Sequence, residues 1–232
     1  MNDLRIDLGC GSKKKVGTIG VDMQAAPGVD HVVNFEKDPL PFPDQSVAYV
    51  HLSHCLEHIV DPVRLFAEIT RVCQDGARVD IWGPYAWENS AFIFDHKNFF
   101  NEDHFYHPCI WFPDFWGHIL KARWLLHGFT YVMTYDTLRD LAAQGHSAYY
   151  AIRYLKGVVK EFCAHVEVRR GNAPTPPPLR RYIAAARGEP RYCIEWLADR
   201  TERRPVPADR LLRKLGGRPV PPKDNLDGDT VT

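Results

Sequence analysis

The stretch Asp7-Leu8-Gly9-Cys10-Gly11-Ser12 and the acid Asp22 are the residues whose types and spacing point most directly to chemistry. The stretch overlaps the end of Leu4-Arg5-Ile6-Asp7-Leu8, which reads as a strand that breaks at Gly9. Two glycines at that point let the backbone turn sharply and come close to a ligand, because no Cβ stands in the way. Asp22 closes the next strand pattern, Thr18-Ile19-Gly20-Val21-Asp22. A carboxylate there can accept both hydroxyls of a ribose. Together the two features point to an adenosine-containing cofactor. Dinucleotide oxidoreduction is the competing use of the same physics, but the third glycine is missing. Only 13 positions separate Gly9 from Asp22, too few for a helix that would receive a pyrophosphate. A tight turn through Lys13, Lys14 and Lys15 must replace it, and its lysines read as solvated.

The histidines give a weaker signal. His104 and His107, with Asp95, Glu102 and Asp103 nearby, match no zinc spacing, so no metal is expected. His58 reads as structural, fixing the turn from Glu57 to Asp61. The six cysteines are scattered without a C-x-x-C pair; several sit in apolar runs as small hydrophobes, which fits a reducing compartment. The aromatic residues between Trp82 and Phe112 read mostly as loop core, with a few left to shape an acceptor pocket.

The elements that must position these residues alternate between strand and crossover. Leu4–Leu8, Thr18–Asp22, His31–Asn34, Val47–Leu52 and Ala77–Trp82 read as strands, the fourth buried on both faces. Between the last two lies a helix with Asp61 as N-cap and Pro62 at its first position. Its apolar residues Leu65, Phe66, Ile69 and Cys73 follow a helical period. Such alternation predicts an α/β fold with a mainly parallel sheet of right-handed units. Residues 83–116 have no clean period and read as an irregular loop over the carboxyl edge. A strand Phe129–Thr134, a helix Thr137–Lys156 and a strand Phe162–Arg169 complete the body.

From Gly171 onward proline is frequent, and short helices are expected at Leu179–Arg187, Cys193–Arg203 and Ala208–Leu215. The division is therefore a domain over 1–170 and a Pro-rich, partly helical extension over 171–232. The extension has too many apolar residues for a disordered end and too few for its own core. Burial against another surface, most simply a second copy of the chain, resolves that conflict.

Four segments together carry a family resemblance: Leu8-Gly9-Cys10-Gly11, Ile19-Gly20-Val21-Asp22, Leu40-Pro41-Phe42-Pro43-Asp44-Gln45-Ser46 and Ser53-His54-Cys55-Leu56-Glu57-His58. In order and spacing they resemble class I S-adenosylmethionine-dependent methyltransferases, closest to the type 11 group with a shortened first loop. The likeness is good over residues 4–83 and an outline over 84–170. It implies a Rossmann-like, seven-stranded, mainly parallel sheet whose last strand is antiparallel. It further implies S-adenosyl-L-methionine as cofactor and a methyltransferase activity.

Carried over by position, Gly9, Cys10 and Gly11 would line the methionine and ribose, and Asp7 would orient the methionine ammonium. Asp22 and Met23 would sit at the ribose, and Asn34 and Phe35 beside the adenine. Ser53 and His54 would border the reacting methyl group. Asn34 departs from the family's usual Asp. His96, followed by aromatics after the fifth strand, falls where the group often places a His beside the acceptor. As a general base it would take the acceptor's proton; the competing role is ordering its loop. The expected acceptor is a hydroxyl or amine of a small molecule, sugar or peptide, its identity unread. The alternative is a methyltransferase-like binding or assembly module without catalysis.

Charge and motifs speak against nucleic acid. The 29 basic side chains balance 29 acidic ones, and Ser53-His54-Cys55-Leu56 is not the motif of DNA amino-methyltransferases. Cys109, after the fifth strand, is not expected to be a nucleophile. No apolar window approaches the ~18 residues of a membrane span, and no apolar signal core follows Met1. A cytoplasmic protein that binds no membrane is expected.

Overall fold

The computed structural model describes residues 4–171, 175, 176, 178–189, 191–193 and 213. Five strands open the chain: β1 (Leu4–Leu8), β2 (Ile19–Asp22), β3 (His31–Val32), β4 (Val47–Ser53) and β5 (Cys73–Pro84). All pair in parallel, in the order β3-β2-β1-β4-β5. β6 (Arg123–Val132) and β7 (Glu161–Arg169) follow, with β7 inserted antiparallel between β5 and β6. This is the predicted seven-stranded sheet of a Rossmann-like α/β fold, reversed strand included.

Two further strands extend it. β8 (Arg180–Ala184) runs parallel to β6, and β9 (Tyr192–Cys193) pairs antiparallel with β8, giving nine strands among the described residues. The helix expected over Leu179–Arg187 is therefore overturned, and the sheet runs past residue 170. Ile183 is fully buried and Ala184 nearly so, so the exposed edge of β6 outweighed local helical pattern. Gly128 permits the pairing: its φ is +156°, and a Cβ there would stand 2.0 Å from the Arg180 carbonyl oxygen. The helices expected at Cys193–Arg203 and Ala208–Leu215 lie almost wholly outside the described residues.

The helix α1 (Pro62–Val72) begins as predicted, with the Asp61 carboxylate accepting from the Arg64 N–H at 3.0 Å. Its buried residues Leu65, Phe66 and Ile69 join the core, and Phe66 packs on Trp124. The loop after β5 contains the short α2 (Asp103–Tyr106), a wider turn over His107–Trp111, and α3 (Pro113–Leu120). The single helix expected over 137–156 is two, α4 (Tyr135–Ala143) and α5 (Ala148–Tyr154). Gly145 at φ +74° ends the first, and the Ser147 side chain caps the second.

The sheet has two unlike faces. Ile6, Val50, Val79, Ala164, Phe129 and Ile183 are buried on the apolar one. The opposite face carries polar rows in register across the strands, such as Arg5–Tyr49–Arg78 and Asp7–His51–Asp80–His165. The expectation that β4 is buried on both faces is thus only half met, because Tyr49 is partly exposed on the polar side.

Candidate functional site

At the carboxyl end of β1 the backbone reverses through Gly9 at φ +68° and Gly11 at φ +51°, a region costly for any residue with a Cβ. Gly9 is also needed for space, since a Cβ there would lie 2.5 Å from the Cys55 Sγ. The Gly9 N–H donates to the Val21 carbonyl at 2.8 Å, which docks the turn on β2. The Gly11 N–H donates to Asp22 Oδ2 at 2.8 Å, and Asp22 Oδ1 accepts from the Gln24 N–H at 2.9 Å. Asp22 thus stands beside the glycine turn at the end of β2, as predicted, and holds that turn itself.

Asp7 is 2% exposed. Its Oδ2 accepts from the Lys15 N–H at 2.7 Å, while Oδ1 is buried with no partner among the described residues. Burial raises the Asp7 carboxyl against the lowering effect of the Lys15 N–H. Cys10 is buried, and desolvation with the nearby carboxylates pushes its thiol up to about 11, so it packs as a neutral side chain. Met23 lies at the rim, 38% exposed. Asn34 turns inward on its own loop, accepting from the Glu36 N–H at 3.2 Å. Phe35 is a core side chain, 1% exposed.

His54, just after β4, is held at φ +51°. Its Nδ1 donates to Glu57 Oε1 at 3.1 Å and its Nε2 to Glu161 Oε2 at 2.9 Å. Hydrogen bonds to Glu161 and then Glu57 raise its imidazolium to about 9. Glu161, at the start of β7, sits below the usual carboxylate range; burial works to raise it but is outweighed by hydrogen bonds from His54 and Arg187. Arg187 comes from the turn after β8. Its Nε donates to Glu161 at 2.7 Å, its Nη1 to the Ser53 Oγ at 2.5 Å, and its guanidinium lies over Trp82. His54 is therefore a fixed cation between two carboxylates rather than a base.

Glu57, Glu161 and Arg187 were not singled out from the sequence. Glu57 stood inside a recognised motif and showed its role only through burial. Arg187 lies in the segment assigned to the extension, and no local pattern links it to Ser53.

His96 lies on the loop after β5, its Nδ1 donating to the Ala91 carbonyl at 3.0 Å. That bond leaves Nε2 as the acceptor nitrogen. Its ring packs edge-on to His58, centroids 4.8 Å apart, and His58 Nδ1 reaches Asp95. His58 thus ties down the His96 loop rather than the 57–61 turn. Glu57, His58 and His96 bring potential metal-ligand atoms within 4.8 Å of one another, as do Asp80, Cys163 and His165. His104 instead bonds Asn101, and His107 accepts from Trp116. Cys109 is buried and its thiol is pushed up to about 12 by desolvation, which leaves it inert. The aromatic loop divides: Tyr85, Phe100 and Phe105 are core, whereas Trp87, Phe92 and Phe94 are exposed.

Residues 22–80 match the family model described as a methyltransferase domain, type 11. That segment is similar to a type 11 methyltransferase domain. It runs from Asp22 to Asp80, through β3, β4 and α1, and so carries Ser53, His54 and Glu57 of the site. The cofactor of this family is S-adenosylmethionine. No curated protein matches the chain. Among solved structures, an S-adenosylmethionine-dependent methyltransferase from Archaeoglobus fulgidus is similar at 16% identity, TM-score 0.44, over 72% of this chain and 86% of that one. The geranyl diphosphate C-methyltransferase of Streptomyces coelicolor A3(2) gives 16%, 0.46, 72% and 72%. The cyclase SpnF gives 15%, 0.46, 72% and 74%. Among the described residues no helix is long and apolar enough to cross a membrane.

Proposed function

We propose that the chain transfers a methyl group from S-adenosylmethionine to a hydroxyl or amine of a small molecule, sugar or peptide. The observation that carries this reading is the cradle formed by Asp7, Gly9, Gly11 and Asp22. Its residues fit the cofactor. The Asp7 oxygen buried without a partner is the acceptor that a methionine ammonium satisfies, and an unpaired buried carboxylate oxygen is otherwise costly. The two left-handed glycines let the backbone approach, and the Asp22 carboxylate reaches the ribose hydroxyls. Asn34 contacts the adenine from its turn, while Phe35 supports that turn from the core.

The bound cofactor supplies an activated methyl group on a sulfonium, so the protein's work is alignment and exclusion of water. Ser53 and His54 form the floor beneath the reacting end. Arg187 locks the Ser53 hydroxyl and, with Glu161, fixes the His54 ring. His96 takes the acceptor's proton on Nε2, its ring orientation set by the Ala91 carbonyl. Exposed Trp87, Phe92 and Phe94 flank the acceptor side.

The direct test is release of S-adenosylhomocysteine from S-adenosylmethionine in the presence of pooled hydroxyl and amine acceptors. Acceptor-dependent release supports the proposal. Tight cofactor binding without turnover across the pools favours the second reading, a binding or assembly module; the Arg187 strap over Ser53 is the observation on its side.

A further inference from the structure

We propose that the polar face of the sheet is a second binding site, taking a small phosphate- or pyrophosphate-bearing molecule. A cavity of about 910 Å³ lies on this face, and none of the described residues lining it belongs to a helix. That size falls within the ~300–1,000 Å³ range of small-ligand pockets. The cavity starts near the amino ends of β1, β4 and β5, at Arg5, Ala48 and Gln74. Asp7, Gly9, Gly11 and Asp22 of the cofactor cradle are not among its lining residues, although Lys15, whose N–H holds Asp7, is.

Its charge is one-sided. Among the described residues Arg5, Lys15, Arg78, Arg180 and Arg191 line it, with Asp80 as the single carboxylate. Asp80 is already engaged, accepting from His165 Nδ1 at 2.7 Å and the Tyr49 hydroxyl at 2.8 Å. Among the described residues, Arg5, Arg78 and Arg180 have no carboxylate partner. Strand register places Arg5, Tyr49 and Arg78 in one row, so like charges are held close on a concave surface. An arrangement that concentrates positive potential in a cleft favours an anion there.

Two of these cations, Arg5 and Arg191, are also oriented. The Arg5 guanidinium lies 4.6 Å from the Tyr49 ring centroid, and that of Arg191 4.3 Å from Tyr182. With Nδ1 donating to Asp80, His165 Nε2 accepts from Arg191 at 3.1 Å. Planar guanidinium groups fixed in this way match phosphate oxygens in bidentate fashion. A solvated surface would leave long arginine side chains free. Among the described residues no helix lies over this face of the parallel strands, which is unusual, and charge complementarity selects an anion as its occupant.

The experiment is calorimetric titration of the full chain with inorganic pyrophosphate and, separately, with uridine monophosphate. The same titrations use the Arg78→Gln, Arg180→Gln double variant, and S-adenosylhomocysteine is titrated into both proteins. The expected result is saturable binding of at least one phosphate ligand, weakened about tenfold or more in the variant, with S-adenosylhomocysteine affinity and melting temperature unchanged. Binding of neither ligand at millimolar concentration overturns the proposal. So does equal binding to the variant, or tight binding of a single-stranded oligonucleotide when both small ligands fail. Because S-adenosylhomocysteine is read separately, failure here leaves the methyltransferase reading intact.

Discussion

Gly9 and Cys55 meet so closely that a Cβ on Gly9 would stand 2.5 Å from the Cys55 Sγ. The contact joins the turn after β1 to the residue that begins the short helical turn after β4, and it fixes the cradle against the floor of the site. Gly9→Ala adds that Cβ and forces alanine to φ +68°. The left-handed conformation costs roughly 1–2 kcal/mol, and overpacking adds roughly 1–3 kcal/mol. Urea unfolding should show a matching loss. Adding Cys55→Gly, which removes both the Sγ and the Cβ that a Cβ on residue 9 would meet, should restore part of it. An unchanged midpoint in Gly9→Ala would mean the contact is looser than described.

Much of this site was legible because its signals are local. A glycine turn after a strand and an acid closing the next strand lie within 16 residues, Asp7 to Asp22, and backbone sterics dictate their use. The helix from Pro62 was legible from its cap and its apolar period. The β8 strand was not, because its partner β6 is distant in sequence and a short segment with mixed polarity carries no decisive period. Arg187 was hidden for the same reason: its partners Ser53 and Glu161 lie 134 and 26 positions away. Phe35 shows the converse, since matching a family position did not reveal that its side chain belongs to the core.

The pH dependence of stability follows from two histidines. His54 is raised to about 9 when folded, against 6.5 as the ordinary value. Its contribution is present in full below pH 6.5 and is lost as pH rises through about 9. His51 is lowered to about 4, first by burial and then by Lys15, so the unfolded chain binds its proton first. Stability from that source falls as pH drops from 6.5 toward 4. Melting temperature should therefore peak near pH 6.5, falling toward pH 4 through His51 and toward pH 9 through His54. His54→Gln should flatten the alkaline side; an alkaline fall identical in the variant would assign it to another group.

His96→Gln tests the base. Once an acceptor is known, turnover should fall about 10²-fold or more while cofactor affinity is kept. A variant with normal turnover and a lowered melting temperature would show instead that His96 only orders its loop, through the bond to Ala91.

Two truncations separate the parts of the C-terminal region. Ending the chain after Arg170 removes β8 and exposes the β6 edge it covers at five paired positions. A lower melting temperature or aggregation is expected. Ending after Cys193 leaves the nine strands intact. If the remaining 39 residues bury their apolar side chains against a second copy, as Ile194, Trp196 and Leu211 suggest, light scattering should show a dimer for the full chain and a monomer for this form. The same mass for both would remove the dimer from the account.

Calorimetric titration of S-adenosylhomocysteine into the full chain and into Asp22→Ala tests the central claim most directly. The account predicts one saturable site in the full chain and an affinity lower by roughly 2–3 kcal/mol in the variant, the scale of lost charge-assisted hydrogen bonds. No binding to the full chain, or equal binding to the two proteins, would contradict it.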